Sequence, residues 1–226
     1  MPANTQKNEY KLQLYEQFAR IGKALGSPRR LEIIDLLAQT DHTVEGLARK
    51  TEMSVANVSQ HLQVLRAARL VAVRREGTFA YYRLADAMVL KVWLSINDLA
   101  QTHLLEIDDL MHNFFQQRAS LEAIDAAELL ERLRSESVIL LDARPEDEYQ
   151  AGHIPGAINL PLEALEAELN LQRDKEVVAY CRSAYCLLSD ELALALQQRG
   201  YRVRVLDQGM MEWQRAGLPI KRTEEP

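Results

Sequence analysis

Cys181 and Cys186 are the two cysteines of this chain, and both stand in one six-residue segment, CRSAYC, between an apolar run, EVVAY, and an amphipathic run, LLSDELALALQQRG. The first run reads as a buried strand and the second as a helix closed by Gly200, which places Cys181 at a strand-to-helix turn. Successive backbone N–H groups in such a turn, with the positive end of the following helix, stabilise an anion and lower the pKa of a thiol held there. The thiolate is the nucleophilic form, and Arg182 beside Cys181 makes the segment cationic. This setting favours sulfur chemistry over the plainer reading of two small packed hydrophobes.

The rest of the chain must position that loop. Its 226 residues, 47% hydrophobic, suit soluble globular protein and are expected to form two domains, 1–118 and 119–226. No run of eighteen apolar residues and no basic-then-apolar leader is found, so neither a membrane span nor a signal peptide is expected and the protein is placed in the cytoplasm. In a reducing cytosol two close cysteines act transiently, and two are too few for a Cys-rich zinc site. Charge separates the halves: residues 1–118 hold 15 Lys+Arg against 13 Asp+Glu, a net of +2, and residues 119–226 hold 12 against 20, a net of −8. From Arg20 to Arg83 there are 11 basic and 6 acidic residues, a local excess that attracts a polyanion.

The elements in that basic stretch refine the reading. A helix runs over about Tyr10 to Leu25, and SPRRLEIIDLLAQ starts another with Ser27 as N-cap and Pro28 at its first position. TVEGLARKT is a short helix capped by Thr43. After a tight turn, SVANVSQHLQVLRAARL puts Val58, Leu62 and Leu65 on one apolar stripe. That stripe leaves Ser54, Ala56, Asn57, Ser59, Gln60, His61 and Gln63 to approach base edges and phosphates in a major groove. LVAVRREGTFAYYRL then reads as a β-hairpin around an EGT turn, with Arg74, Arg75 and Arg83 along it.

These segments, ALGSPRRLEIIDLL, SVANVSQHLQVLRAARLV and VRREGTFAYYRL, resemble the ArsR/SmtB family of winged-helix repressors over about Tyr10 to Phe115. The resemblance implies a homodimer that binds palindromic operator double-stranded DNA and leaves it when an inducer binds. Many members of that family sense metals through cysteines near the recognition helix; no cysteine precedes Cys181 here, so thiolate metal sensing in this domain is excluded. The amphipathic helix expected over Met88 to Gln117 corresponds to the family's dimer interface. On it His103, Glu106, Asp109 and His112 recur every three residues, a set that holds zinc in some members; a solvated polar face opposite Leu99, Leu110 and Phe114 explains the same pattern, and no metal and no cofactor are expected.

Beyond Leu121 strands and helices alternate: AIDAAELLERLR as helix, VILLDAR as strand, EDEYQAGHIPGAINLP as a turn-rich loop, then EVVAY, the helix after the cysteines, and YRVRVLD. Such alternation argues for an α/β domain with a mostly parallel sheet and ligands at the carboxyl ends of its strands. The fold class is therefore two domains, a mainly α winged helix-turn-helix followed by an α/β domain. LLDARPEDEYQAGHIPGAINLP, the cysteine loop and RGYRVRVLDQGMMEWQRAGLPI resemble a single rhodanese (sulfurtransferase) domain over about Leu121 to Lys221.

The resemblance implies that Cys181 attacks a sulfur donor, carries the outer sulfur as a persulfide and passes it to a thiol acceptor. It further implies that backbone N–H groups of Arg182, Ser183, Ala184, Tyr185 and Cys186 face the persulfide anion, with the Arg182 guanidinium holding an anionic donor. Asp142, Arg144, Glu148 and His153 match the family's upstream motif; Asp142 and Arg144 read as paired organising charges, and His153 with Pro155 as scaffold. The loop departs from the frequent patterns C-R-x-G-x-R and C-R-K-G-x-T. Ser183 replaces a cation and Ala184 a glycine, which argues against efficient thiosulfate turnover, while Cys186 adds a second sulfur able to resolve a Cys181 persulfide or sulfenate into a bridge. Closure requires Cα atoms about 4.4–6.8 Å apart. The expected protein is a cytoplasmic regulator, acting as a repressor, whose second domain senses or transfers reactive sulfur through Cys181. A sulfurtransferase with an accessory DNA-binding domain and an oxyanion-binding regulator are the alternatives.

Overall fold

The computed structural model describes residues 3–114, 121–166 and 171–223. They divide into two compact units, one up to Trp93 and one from Leu94 onward, and the division falls inside one helix, α5 (Ala87–His103). The boundary expected between residues 118 and 119 lies outside the described residues.

The first unit comprises α1 (Ala3–Leu25), α2 (Pro28–Leu37), α3 (Val44–Thr51), α4 (Val55–Ala67) and the hairpin β1 (Val71–Glu76) and β2 (Phe79–Leu84). Helix starts follow from their caps. Thr43 accepts a hydrogen bond from the Gly46 N–H at 3.1 Å and Ser54 from the Asn57 N–H at 3.2 Å, each satisfying an orphan donor of the first turn. Ser27 caps α2 by position, with its carbonyl accepting from Arg30 and Leu31 while its side chain makes no cap bond. Val58, Leu62 and Leu65 are buried, as the apolar stripe predicts, and close the core with Ile33, Ile34 and Leu47. The first helix begins at Ala3, well before Tyr10.

The long helix expected over Met88 to Gln117 is divided at Leu104 into α5, which spans the boundary between the units, and α6 (Leu105–Phe114). A five-stranded sheet follows, in the order β3 (Glu122–Ile124), β7 (Val203–Leu206), β6 (Glu176–Tyr180), β4 (Val138–Asp142), β5 (Ile158–Asn159), and all its pairings are parallel. Both faces are covered. Because side chains alternate along a strand, Val177 and Ala179 of β6 pack with Leu192 and Leu196 of α9 (Leu188–Gln198), and Val178 and Tyr180 pack on the other side with Leu129 of α7 (Ala126–Arg134) and Met210 and Trp213 of α10 (Met210–Arg215). The segment read as a loop after β4 contains a further helix, α8 (Glu146–Ala151).

Candidate functional site

Strand β6 ends at Tyr180, and the loop 181–187 leads from it into α9. Cys181 and Cys186 are bridged in this loop by a disulfide, with their Cα atoms 6.0 Å apart. Cys181 is buried, 1% exposed, directly after the end of β6, whereas Cys186 is only half-buried. The Cys186 N–H donates to the Ser183 carbonyl at 3.1 Å, so one of the five amides expected to face an anion is used inside the loop in this bridged state. No residue of the loop has positive φ. Ala184 therefore fits without the left-handed backbone that glycine would favour.

The start of α10 holds the loop from the other side. The Met210 N–H donates to the Cys181 carbonyl at 2.9 Å and the Met211 N–H to the Arg182 carbonyl at 3.0 Å. Immediately before them Gly209 approaches the backbone so closely that a Cβ there would lie 2.2 Å from Ser183 Cα and N. Only glycine permits this approach. The Gly209 N–H in turn donates to Glu212 Oε2 at 2.8 Å, and burial raises the Glu212 carboxyl above the ordinary carboxylate range despite that bond.

Beneath the loop lies a buried charged layer. Arg144 donates through Nε to Asp142 Oδ1 at 3.0 Å and through Nη2 to Asp142 Oδ2 at 2.6 Å and to the Gly152 carbonyl at 2.7 Å. The Tyr180 hydroxyl donates to Asp142 Oδ2 at 2.6 Å and accepts from the Ile154 N–H at 3.1 Å. Burial works against the Arg144 charge, but its hydrogen bond to Asp142, with the charges of Asp142 and Glu148, prevails and raises its pKa. Burial, then the Asp142 charge, pushes the Tyr180 phenol up strongly, so it remains a donor. Asp142 and Arg144 thus pair as expected, at the carboxyl end of β4. His153 is buried as scaffold: its ring stacks on Tyr149 with centroids 3.8 Å apart and its Nδ1 lies 2.9 Å from the Tyr149 carbonyl.

Arg182 makes an internal charged pair. Its guanidinium makes a two-pronged pair with Glu148, Nε to Oε2 at 2.7 Å and Nη2 to Oε1 at 2.6 Å, and Glu148 is fully buried. A two-pronged charged pair of this kind ties the loop to α8. Gly209 and Tyr180 escaped the sequence reading. An aromatic residue immediately before the loop cysteine, and a glycine between β7 and the next helix, were the available signals.

In the first unit Ala56, Asn57, Gln60 and Gln63 are exposed on α4, and Ser59 and His61 are half-buried. The Ser54 hydroxyl serves as the helix cap. On the hairpin, the register pairs Arg74 with Tyr81 and Ala72 with Arg83, which puts Arg74 and Arg83 on one face and Arg75 on the other. Arg74 is engaged within its own unit, 2.7 Å from Glu76 and 3.6 Å from Asp41, with its guanidinium over the Tyr81 ring. The hydrogen bond to Glu76 raises its pKa. Of His103, Glu106, Asp109 and His112, the side chain of His112 lies outside the described residues.

Two family models match the chain: the bacterial regulatory protein, arsR family, over residues 27–73, and the rhodanese-like domain over residues 125–216. The HTH-type transcriptional regulator Rv0324 of Mycobacterium tuberculosis is 42% identical over 215 residues, which cover 95% of this chain and 94% of that relative. A sulfurtransferase of Allochromatium vinosum is 39% identical over 100 residues, 43% of this chain and 92% of its own length. Among solved structures, the homodimeric winged helix-turn-helix fragment of a Mycobacterium bovis protein is 45% identical, covering 42% of this chain and 87% of that chain with a TM-score of 0.40.

Proposed function

Because the chain belongs to the ArsR family of helix-turn-helix transcriptional regulators and carries a rhodanese-like domain, we propose that it is a repressor whose operator affinity is set by the reaction of Cys181 with a reactive sulfur species. The observation that carries this reading is the pairing of Cys181 and Cys186, the chain's two thiols, in one loop whose Cα atoms stand at bridging distance. Persulfide formed on Cys181 has a resolving thiol within reach. The regulator works on double-stranded DNA and therefore in the cytoplasm. It acts as a homodimer, for which α1 presents Tyr10, Leu12, Tyr15 and Phe18, each more than half exposed; apolar side chains this exposed along one helix suit an interface.

DNA contact is assigned to Ala56, Asn57, Gln60 and Gln63 of α4 with Ser59 and His61 beside them, and to Arg75 and Arg83 of the hairpin. Selection of duplexes from a random pool, by the dithiol protein and again after polysulfide treatment, tests the reading. Enrichment of a palindrome by the dithiol form and its loss after treatment are expected. No enrichment by either form overturns the regulator, and equal enrichment by both overturns the sulfur response. The likeness to the Allochromatium sulfurtransferase supports a second reading, in which turnover of a sulfur donor is the main activity; steady turnover with thiosulfate and cyanide, indifferent to operator DNA, would favour it.

A further inference from the structure

We infer that the rhodanese-like domain runs a thiol-driven reductive cycle that converts the sulfane sulfur of hydropersulfides to sulfide, and that the external thiol enters the cycle at Cys186 and not at Cys181. The inference rests on the reading that Cys181 takes up sulfane sulfur. Two observations extend that reading. The first is the bridge itself, which is the product left when a persulfide is resolved within the loop. The second is the asymmetry of the two sulfurs' surroundings. Cys181 is buried at the end of β6, next to the fully buried Tyr180, with its carbonyl bonded to the Met210 N–H. Cys186 is half-buried, at the outer end of the loop where it turns into α9.

The Cys181 thiolate attacks the outer sulfur of R–S–SH; that S–S bond breaks, RSH leaves, and Cys181 holds the persulfide. The Cys186 thiolate then attacks Cys181 Sγ, the bond to the terminal sulfur breaks, and HS⁻ departs with the electron pair. Two thiolates have been oxidised to a disulfide and one sulfane sulfur reduced to sulfide. An external thiolate R′S⁻ next attacks Cys186 Sγ, and the electron pair of the protein S–S bond leaves on Cys181. A second R′S⁻ attacks the external sulfur of the mixed disulfide, releasing the Cys186 thiolate and R′SSR′. The sum is R–S–SH + 2 R′SH → RSH + H₂S + R′SSR′. Which sulfur is attacked depends on access and on the leaving thiolate, and access selects Cys186. Attack there returns the nucleophile, Cys181, in the first of the two reductive steps. The committed Arg182 fits this substrate class: a hydropersulfide, neutral or singly charged, needs no guanidinium to neutralise it, unlike a dianion such as thiosulfate.

The test uses the full chain, glutathione hydropersulfide as donor and glutathione as thiol. Sulfide release by the native protein is expected to exceed that of Cys181→Ser by about tenfold, equivalent to about 1.4 kcal/mol in barrier. Cys186→Ser is expected to hold one added sulfur on Cys181 and to release sulfide no faster than Cys181→Ser. When the bridged protein is treated briefly with glutathione, quenched with a maleimide and digested, the glutathione adduct is expected on Cys186 and the maleimide on Cys181. Adducts on Cys181, or full sulfide release by Cys186→Ser, overturn the inference while leaving sulfur uptake standing. A Cys186→Ser protein that never gains sulfur on Cys181 overturns sulfur uptake itself, and the cycle with it.

Discussion

At Arg182 and Glu148 two charges that stand 34 residues apart in sequence meet in a pair whose carboxylate is fully buried, and this pair anchors the loop to α8. Removing one partner of a buried pair costs about 3–5 kcal/mol, so Glu148→Gln is expected to lower the urea-unfolding free energy by that order; an unchanged midpoint would contradict the assignment. Gly209→Ala drives a methyl group into the Ser183 backbone, and overpacking of this kind costs about 1–3 kcal/mol. The same variant is expected to speed alkylation of reduced Cys181 by displacing the loop from α10, which mass spectrometry against time would show. On the hairpin, Arg75→Ala is expected to reduce the slope of log affinity against log salt by about 0.9, the value for one phosphate contact. Arg74→Ala, which removes a side chain already engaged by Glu76 and Asp41, is expected to leave that slope nearly unchanged.

Among the elements, those with a long period were legible and those without were not. The stripe of Val58, Leu62 and Leu65 identifies α4, and the run EVVAY identifies β6 with the reactive loop at its end. The three-residue β3, the two-residue β5 and the six-residue α8 are too short to display any period, and although the upstream motif includes Glu148 of α8, its pairing with Arg182 across 34 residues has no local signature. Asp142 and Arg144 could be read as a pair because they stand two residues apart at a strand end. The close approach of Gly209 depends on two segments meeting in space, which no local pattern encodes. Helix α10 also yields a pH test. Burial holds the Glu212 carboxyl above its unfolded value, so the folded chain binds this proton more tightly than the unfolded chain, and the stability it contributes falls as pH rises from the ordinary carboxylate range through the raised folded pKa. Glu212→Gln, which cannot ionise, is therefore expected to gain stability relative to the native protein as pH increases over that window; thermal melts of both proteins across acidic to neutral pH would show it, and a constant difference would contradict it.

For the whole molecule, the claim is that a sulfur reaction in the second unit changes how tightly the first holds DNA. Such coupling requires two states with different operator affinity, and the proposed states are the dithiol and the form in which Cys181 carries a persulfide or the bridge. Variants that block bridging without emptying Cys181, above all Cys186→Ser, distinguish persulfide from disulfide as the signal. The most direct measurement is operator affinity at one fixed salt concentration, because phosphate contacts make affinity steeply salt-dependent, taken on dithiol and polysulfide-treated protein with intact mass determined on the same samples. A loss of affinity of at least about tenfold, about 1.4 kcal/mol, is expected in samples whose mass shows added sulfur on Cys181 or the Cys181–Cys186 bridge. Equal affinity in samples whose cysteines are fully modified would contradict it.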